Sequence, residues 1–246
     1  MKIWHIAAHE MRRIFVSPLA WAVLAVVQVL LGLVFVMSLR DYANAPDLGE
    51  NPPGVSEVVG GALFGFSAIV LLLVMPLLTM RLFSEERRSG SLDLLMSAPA
   101  SLTEIVLGKF FGLGGFLLVM LALIALMPLS LLASTPLDLG RVAAGLVGLA
   151  LVMSAFAAAG LFMSSLTEQP TVAAIGSFGL LLLLWLVHWV GYQDFAFSGV
   201  FHYLSLIGHY DSMLRGVFES SDVVYYLLVT AVFLGLTVQR LDMERH

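Results

Sequence analysis

Apolar positions gather into six runs, at about residues 19–39, 59–80, 110–133, 142–165, 171–191 and 223–239, separated by short and unequal polar blocks. A hydrocarbon core of about 30 Å is crossed by about 20 residues of helix, so each run is long enough to span, the last only narrowly. Hydrocarbon offers backbone N–H and C=O groups no partner, so spanning segments are helices or strands of a closed barrel. Barrel strands would alternate apolar and polar residues; a run such as LLLLWLVHWV does not. The pattern therefore predicts an all-α polytopic membrane protein forming a single domain over 1–246.

Three stretches outside the runs have characters of their own. In residues 1–18, Ile3, Ile6, Ala7, Met11 and Ile14 recur at helical spacing, with Trp4 and Phe15 beside them and Lys2, His9, Glu10, Arg12 and Arg13 over much of the rest. This predicts an amphipathic helix lying in the headgroup plane, ended by Ser17-Pro18. Arg12-Arg13 followed by an apolar run and Ala43-Asn44-Ala45 imitates a twin-arginine signal, but the run is about 20 residues where a signal core has about 7–15. The helix is read as retained. Residues 40–58, acidic and rich in Pro and Gly, read as an irregular surface loop. Residues 192–222 are too polar to span and too apolar for an open loop. They predict two short re-entrant helices, broken at Gly208, the second over 209–218; interfacial aromatic anchoring is the alternative.

Composition agrees. The chain has 246 residues, of which 60% are hydrophobic and 12% charged, with a mean hydropathy of +0.98; soluble domains average about 45–50% apolar and 25% charged. Cysteine is absent, which excludes disulfides and thiolate sites. A net charge of −5 with no basic run gives no reason to expect nucleic acid. With both termini inside, nine Lys and Arg fall in inner segments and three, Arg40, Arg141 and Arg215, in outer ones. That asymmetry predicts cytoplasmic termini.

On this topology residues 80–109, MRLFSEERRSGSLDLLMSAPASLTEIVLGK, form a cytoplasmic loop and the one long charge-dense stretch between two strongly apolar runs. Arg81–Leu95 reads as a helix interrupted at Ser89-Gly90-Ser91, with Ser91 capping a second short helix, LDLLMS, that carries Asp93 in its first turn. Pro99 ends it, and Ser101 with Glu104 forms a capping box for a helix that continues into the third span. Exposed Leu94, Leu95 and Met96 beside mixed charge suit a partner-binding element; the alternative is that these leucines pack back on the spans.

Conventional chemistry is missing. The spans hold almost no ionisable residues; the polar exceptions are Gln28, able to bridge helices, and His188 near the outer end of the fifth. No carboxylate pair suits ion-driven transport. No HExxH and no GxxxxGK[ST] occurs, so any ATP must be bound by another chain. His202 and His209, with Asp211 nearby, form only a weak metal pattern. Ser164-Ser165 and the glycines and alanines of the third and fourth spans read as packing residues.

The loop resembles the cytoplasmic loop of type-2 ABC transporter permeases. That pattern falls here on Arg81, Glu86-Arg87, Gly90-Ser91, Leu94-Leu95, Pro99 and Gly108-Lys109. The layout of an interfacial helix, six spans, a loop after the second and a re-entrant segment after the fifth is similar to the compact gliding-motility and nitrous-oxide-reductase-maturation permeases. The resemblance implies a subunit of the bacterial inner membrane, paired with a second permease, as a homodimer, and docking two ABC ATPase subunits that hold the ATP and Mg. The chain itself would carry no cofactor and no catalytic site. Arg81, Glu85, Glu86, Arg87, Arg88, Ser91, Leu94 and Leu95 would form a coupling helix inserted into the ATPase, with Glu86→Ala uncoupling hydrolysis while sparing the fold. Export of a substrate is the function implied; the alternative is a subunit passing ATP-driven motion to an extracytoplasmic auxiliary partner. Membrane lipid surrounds the whole.

Overall fold

The structure, a computed structural model, describes residues 2–44, 54–92, 100–191 and 205–245. In chain order the helices are α1 (Lys2–Val16), α2 (Pro18–Asn44), α3 (Val55–Thr79), α4 (Ser84–Arg88) and α5 (Leu102–Leu129). A 3₁₀ turn, Ser130–Ala133, follows, then α6 (Leu139–Ser165), α7 (Pro170–Gly191), α8 (Leu206–Leu214) and α9 (Ser220–Arg245). Among the described residues no strand occurs, and six helices, α2, α3, α5, α6, α7 and α9, are long and apolar enough to cross a membrane.

The α3 and α6 helices are the most enclosed, while α2 and α7 show most of their length to the surroundings. Small residues on α6 explain its central place. A Cβ built on Gly145 would come within 2.5 Å of the Phe64 ring, and one on Gly160 would overlap the Thr79 side chain. Helices in lipid gain little from hydrophobic burial against each other, so close approach over small residues supplies the contact. The α1 helix lies across the first half of α5 in the same way: Ile6 fills the space beside Gly108, and Ala7 and Glu10 that beside Gly112. A bulky side chain at either glycine would lift α1 off.

Successive long helices run in opposite directions. Residues 2–16, 79–92, 100–109, 165–170 and 240–245 therefore share one end of the bundle, which carries α4, and α8 lies at the other. At the α8 end, Tyr210 donates to the Phe64 carbonyl at 2.9 Å, and Tyr226 donates to the Leu206 carbonyl. Burial, with a smaller push from Asp211, raises the Tyr210 phenol well above its ordinary range, so it stays a donor.

Three expectations are corrected. Helix α2 continues through Arg40–Asn44 and α3 begins at Val55, so helix takes both ends of the predicted irregular loop; 45–53 lies outside the described residues. Gly208 does not break α8. It occupies the first turn, where its N–H is taken by the Ser205 hydroxyl at 3.0 Å, and the helix ends at Leu214, with Gly216 at φ +82° turning the chain. Residues 192–204, including His202, and the His188 side chain lie outside the described residues. His209 pairs with Asp222 of α9 at 2.7 Å, through the packing of α8 on the first turn of α9. Among the described residues no three His, Asp or Glu side chains gather as a metal site.

Candidate functional site

The third correction lies at α4. Arg81–Leu95 is not one helix interrupted only at Ser89–Ser91. The chain leaves α3 at Thr79, turns through Met80–Phe83 and resumes for only five residues, Ser84–Arg88. Ser164 at the far end of α6 causes the turn. Its hydroxyl accepts from Phe83 N at 3.0 Å and Ser84 N at 3.2 Å and donates to the Met80 carbonyl at 3.0 Å. Those two N–H groups would otherwise continue α3 by bonding four residues back. Ser164 is fully buried, so these bonds are sheltered from water. Reading Ser164 as a packing residue missed this role. Its one sequence signal is a hydroxyl at the inner end of a glycine- and alanine-rich span.

Charge holds α4 from two further sides. Lys109 of α5 is 1% exposed and Glu10 of α1 is 2% exposed. The Lys109 ammonium lies 2.6 Å from Glu86 Oε1 and 3.6 Å from Glu10 Oε2, with the Phe83 ring 5.1 Å away. Arg13 closes the ring, 2.7 Å from Glu10 and 3.2 Å from Glu86. Two carboxylates and two cations alternate, and each buried charge sits between opposite ones. Such an arrangement offsets desolvation, and removing one member leaves a buried charge uncompensated. On the opposite side Arg87 binds both carboxylate oxygens of Glu244 in α9, and Arg240 reaches the same carboxylate at 2.9 Å.

The expected site residues thus divide. Glu86 and Arg87 are half-buried and bound within the chain to α1, α5 and α9. Arg81, Glu85 and Arg88 are exposed and make no ion pair among the described residues. Ser91 begins a helical stretch after Gly90, whose φ of +71° makes the break expected at this glycine. Its hydroxyl turns back toward the Glu86 carbonyl at 3.3 Å. Leu94 and Leu95, with Asp93, Met96 and Pro99, lie outside the described residues. The capping box forms as expected: Ser101 N–H donates to Glu104 Oε2 at 3.0 Å, and Glu104 N–H donates to the Ser101 hydroxyl at 3.2 Å.

A short charged helix is therefore gripped by α1, α5, α6 and α9 at one end of a six-span bundle. The ABC-2 family transporter protein family matches residues 4–244 of the chain, nearly its whole length. The chain belongs to that family. It is a multi-pass membrane protein of the ABC transporter transmembrane-subunit class, a class without its own catalytic site that generally works with an ATPase subunit. A search of curated proteins finds no match.

Proposed function

We propose that the chain couples ATP hydrolysis in a separate ABC ATPase subunit to export of a substrate, and that α4 with the residues after it is the coupling element. The observation that carries this reading is the division within α4. Arg81, Glu85 and Arg88 are exposed, while Glu86, Arg87 and the Ser164 clamp tie the same element to four helices. A contact on the exposed side moves α4, and α4 cannot move without straining α1, α5, α6 and α9. ATP energy reaches the membrane only through differential binding of this element in the two ATPase states. Leu94 and Leu95 would add apolar area to the contact.

The lysine and arginine asymmetry supports an inner-membrane subunit with both termini cytoplasmic and α4 in the cytoplasm. Two permease chains, as a homodimer, would engage two ATPase subunits carrying ATP and Mg. An extracytoplasmic auxiliary subunit would sit at the α8 end. The compact layout fits the gliding-motility and nitrous-oxide-reductase-maturation variety.

The test is mild-detergent purification from the native membrane with nucleotide trapped, followed by mass spectrometry of the bound subunits. A Walker-motif ATPase in equal copies supports the reading. Its absence at low salt contradicts it.

A further inference from the structure

We propose that the groove between α1 and α5 is a lipid site: it holds an acyl chain of an anionic phospholipid whose phosphate rests against α1. This does not rest on coupling to an ATPase. The groove has a volume of about 410 Å³, within the roughly 300–1,000 Å³ usual for small-molecule sites. Trp4, Ala8 and Met11 form one wall. Phe111 stacks on Trp4 with 6.2 Å between ring centroids and makes the lip. Gly114 and the buried Ala157 line it further in. A Cβ built on Gly114 would meet no atom within 4 Å, so the space before it is open. The one hydroxyl in the lining, Ser154, donates to the Leu151 carbonyl at 2.7 Å. What remains for an occupant is hydrocarbon contact.

Depth and charge select the occupant. The groove begins at Phe110, where the apolar run of α5 begins, with α1 across it; a helix charged on one side and apolar on the other suits the level where headgroups meet hydrocarbon. Glu10 is the only carboxylate on α1, and it is buried beneath the helix against Lys109 and Arg13. The exposed side of α1 therefore carries no acid. Arg12 stands one helical turn from groove-lining Ala8, is exposed, and makes no ion pair among the described residues. A cation above an open apolar groove complements a phosphate above its chain. A helix from another protein would fit poorly, because about 10 Å of diameter and 5.4 Å of pitch let this volume take roughly one turn.

The test is native mass spectrometry of the chain reconstituted in equal phosphatidylglycerol and phosphatidylcholine, with lipid release measured on activation. Wild type is expected to retain phosphatidylglycerol in preference. Gly114→Leu puts a side chain into the open space before Gly114, and the lost packing contacts are expected to lower retention of both lipids about fivefold. Arg12→Gln keeps chain binding but lowers the phosphatidylglycerol preference about fivefold. Should Gly114→Leu fail to fold, Ala8→Phe fills the groove from its exposed wall and decides in the same way. Unchanged retention in the filled variant overturns the proposal. So does a filled variant that keeps its lipid and loses a second copy or a protein partner, since the groove would then be a protein interface.

Discussion

Glu85 and Arg88 differ from Glu86 and Arg87 in nothing but position, and the four are consecutive. The outer pair is exposed; the inner pair is bound to Lys109, Arg13 and Glu244. At about 100° per residue, positions 85 and 88 return to one side of the helix while 86 and 87 lie on the rest of its circumference. The lesson is that a charge-dense loop is not a binding surface by composition. Half of the charge on α4 holds it to its own bundle, and the other half is exposed. Glu86→Ala, expected to spare the fold, removes a partner of buried Lys109 and should lower stability as well.

Substitutions that remove an inner contact should show the largest effects. Lys109→Met leaves buried Glu10 and half-buried Glu86 with Arg13 as their one shared cation, and should destabilise the chain by about 3–5 kcal/mol, read as a lower melting temperature in detergent. Adding Glu10→Gln and Glu86→Gln to Lys109→Met leaves only Arg13 charged, and Arg13 is exposed enough to be hydrated, so most of that loss should be recovered. If the triple variant melts no higher than the single one, the ring does not account for the grip on α4. Ser164→Ala comes next. It removes the shared acceptor of two buried N–H groups, which recover part of the loss by bonding four residues back, so about 1–3 kcal/mol in all is expected, with faster hydrogen exchange at Phe83 and Ser84. Arg87→Ala frees Glu244, which keeps Arg240 as a partner, so a smaller loss of about 1–2 kcal/mol is expected. The smallest stability change, within about 0.5 kcal/mol, is expected for exchanging the outer charges as Glu85→Lys with Arg88→Glu.

Much of the architecture was legible because a spanning helix announces itself by sustained apolar content. All six runs became helices, and the structure extended them only where flanking polar residues continue the hydrogen-bonding pattern, as at Arg40–Asn44. Local chemistry was legible too: Ser101 and Glu104 are close enough in sequence to cap one another, and Gly90 adopts the positive φ that a break after Ser89 requires. The grip on α4 was not, because each of its parts is a long-range meeting. Ser164 lies eighty residues from Ser84. Glu10 was grouped with the polar side of α1, yet Ile3, Ala7, Glu10 and Ile14 follow one another at helical spacing. That stripe is what packs on Gly108 and Gly112 of α5. An acid inside an apolar stripe signals a buried partner, here Lys109, but the spacing cannot say which cation it is. Gly208 misled for the opposite reason: a glycine that breaks a helix interior is tolerated in a first turn whose N–H is capped.

The exchange variant, Glu85→Lys with Arg88→Glu, tests the central claim most directly when melting temperature and retained ATPase subunit are measured on the same purified sample. Melting unchanged from wild type, with the ATPase lost, is the result predicted by an α4 that faces its partner on one side and its own helices on the other. An ATPase retained at wild-type stoichiometry, or a melting temperature lowered as far as by Lys109→Met, would contradict that division.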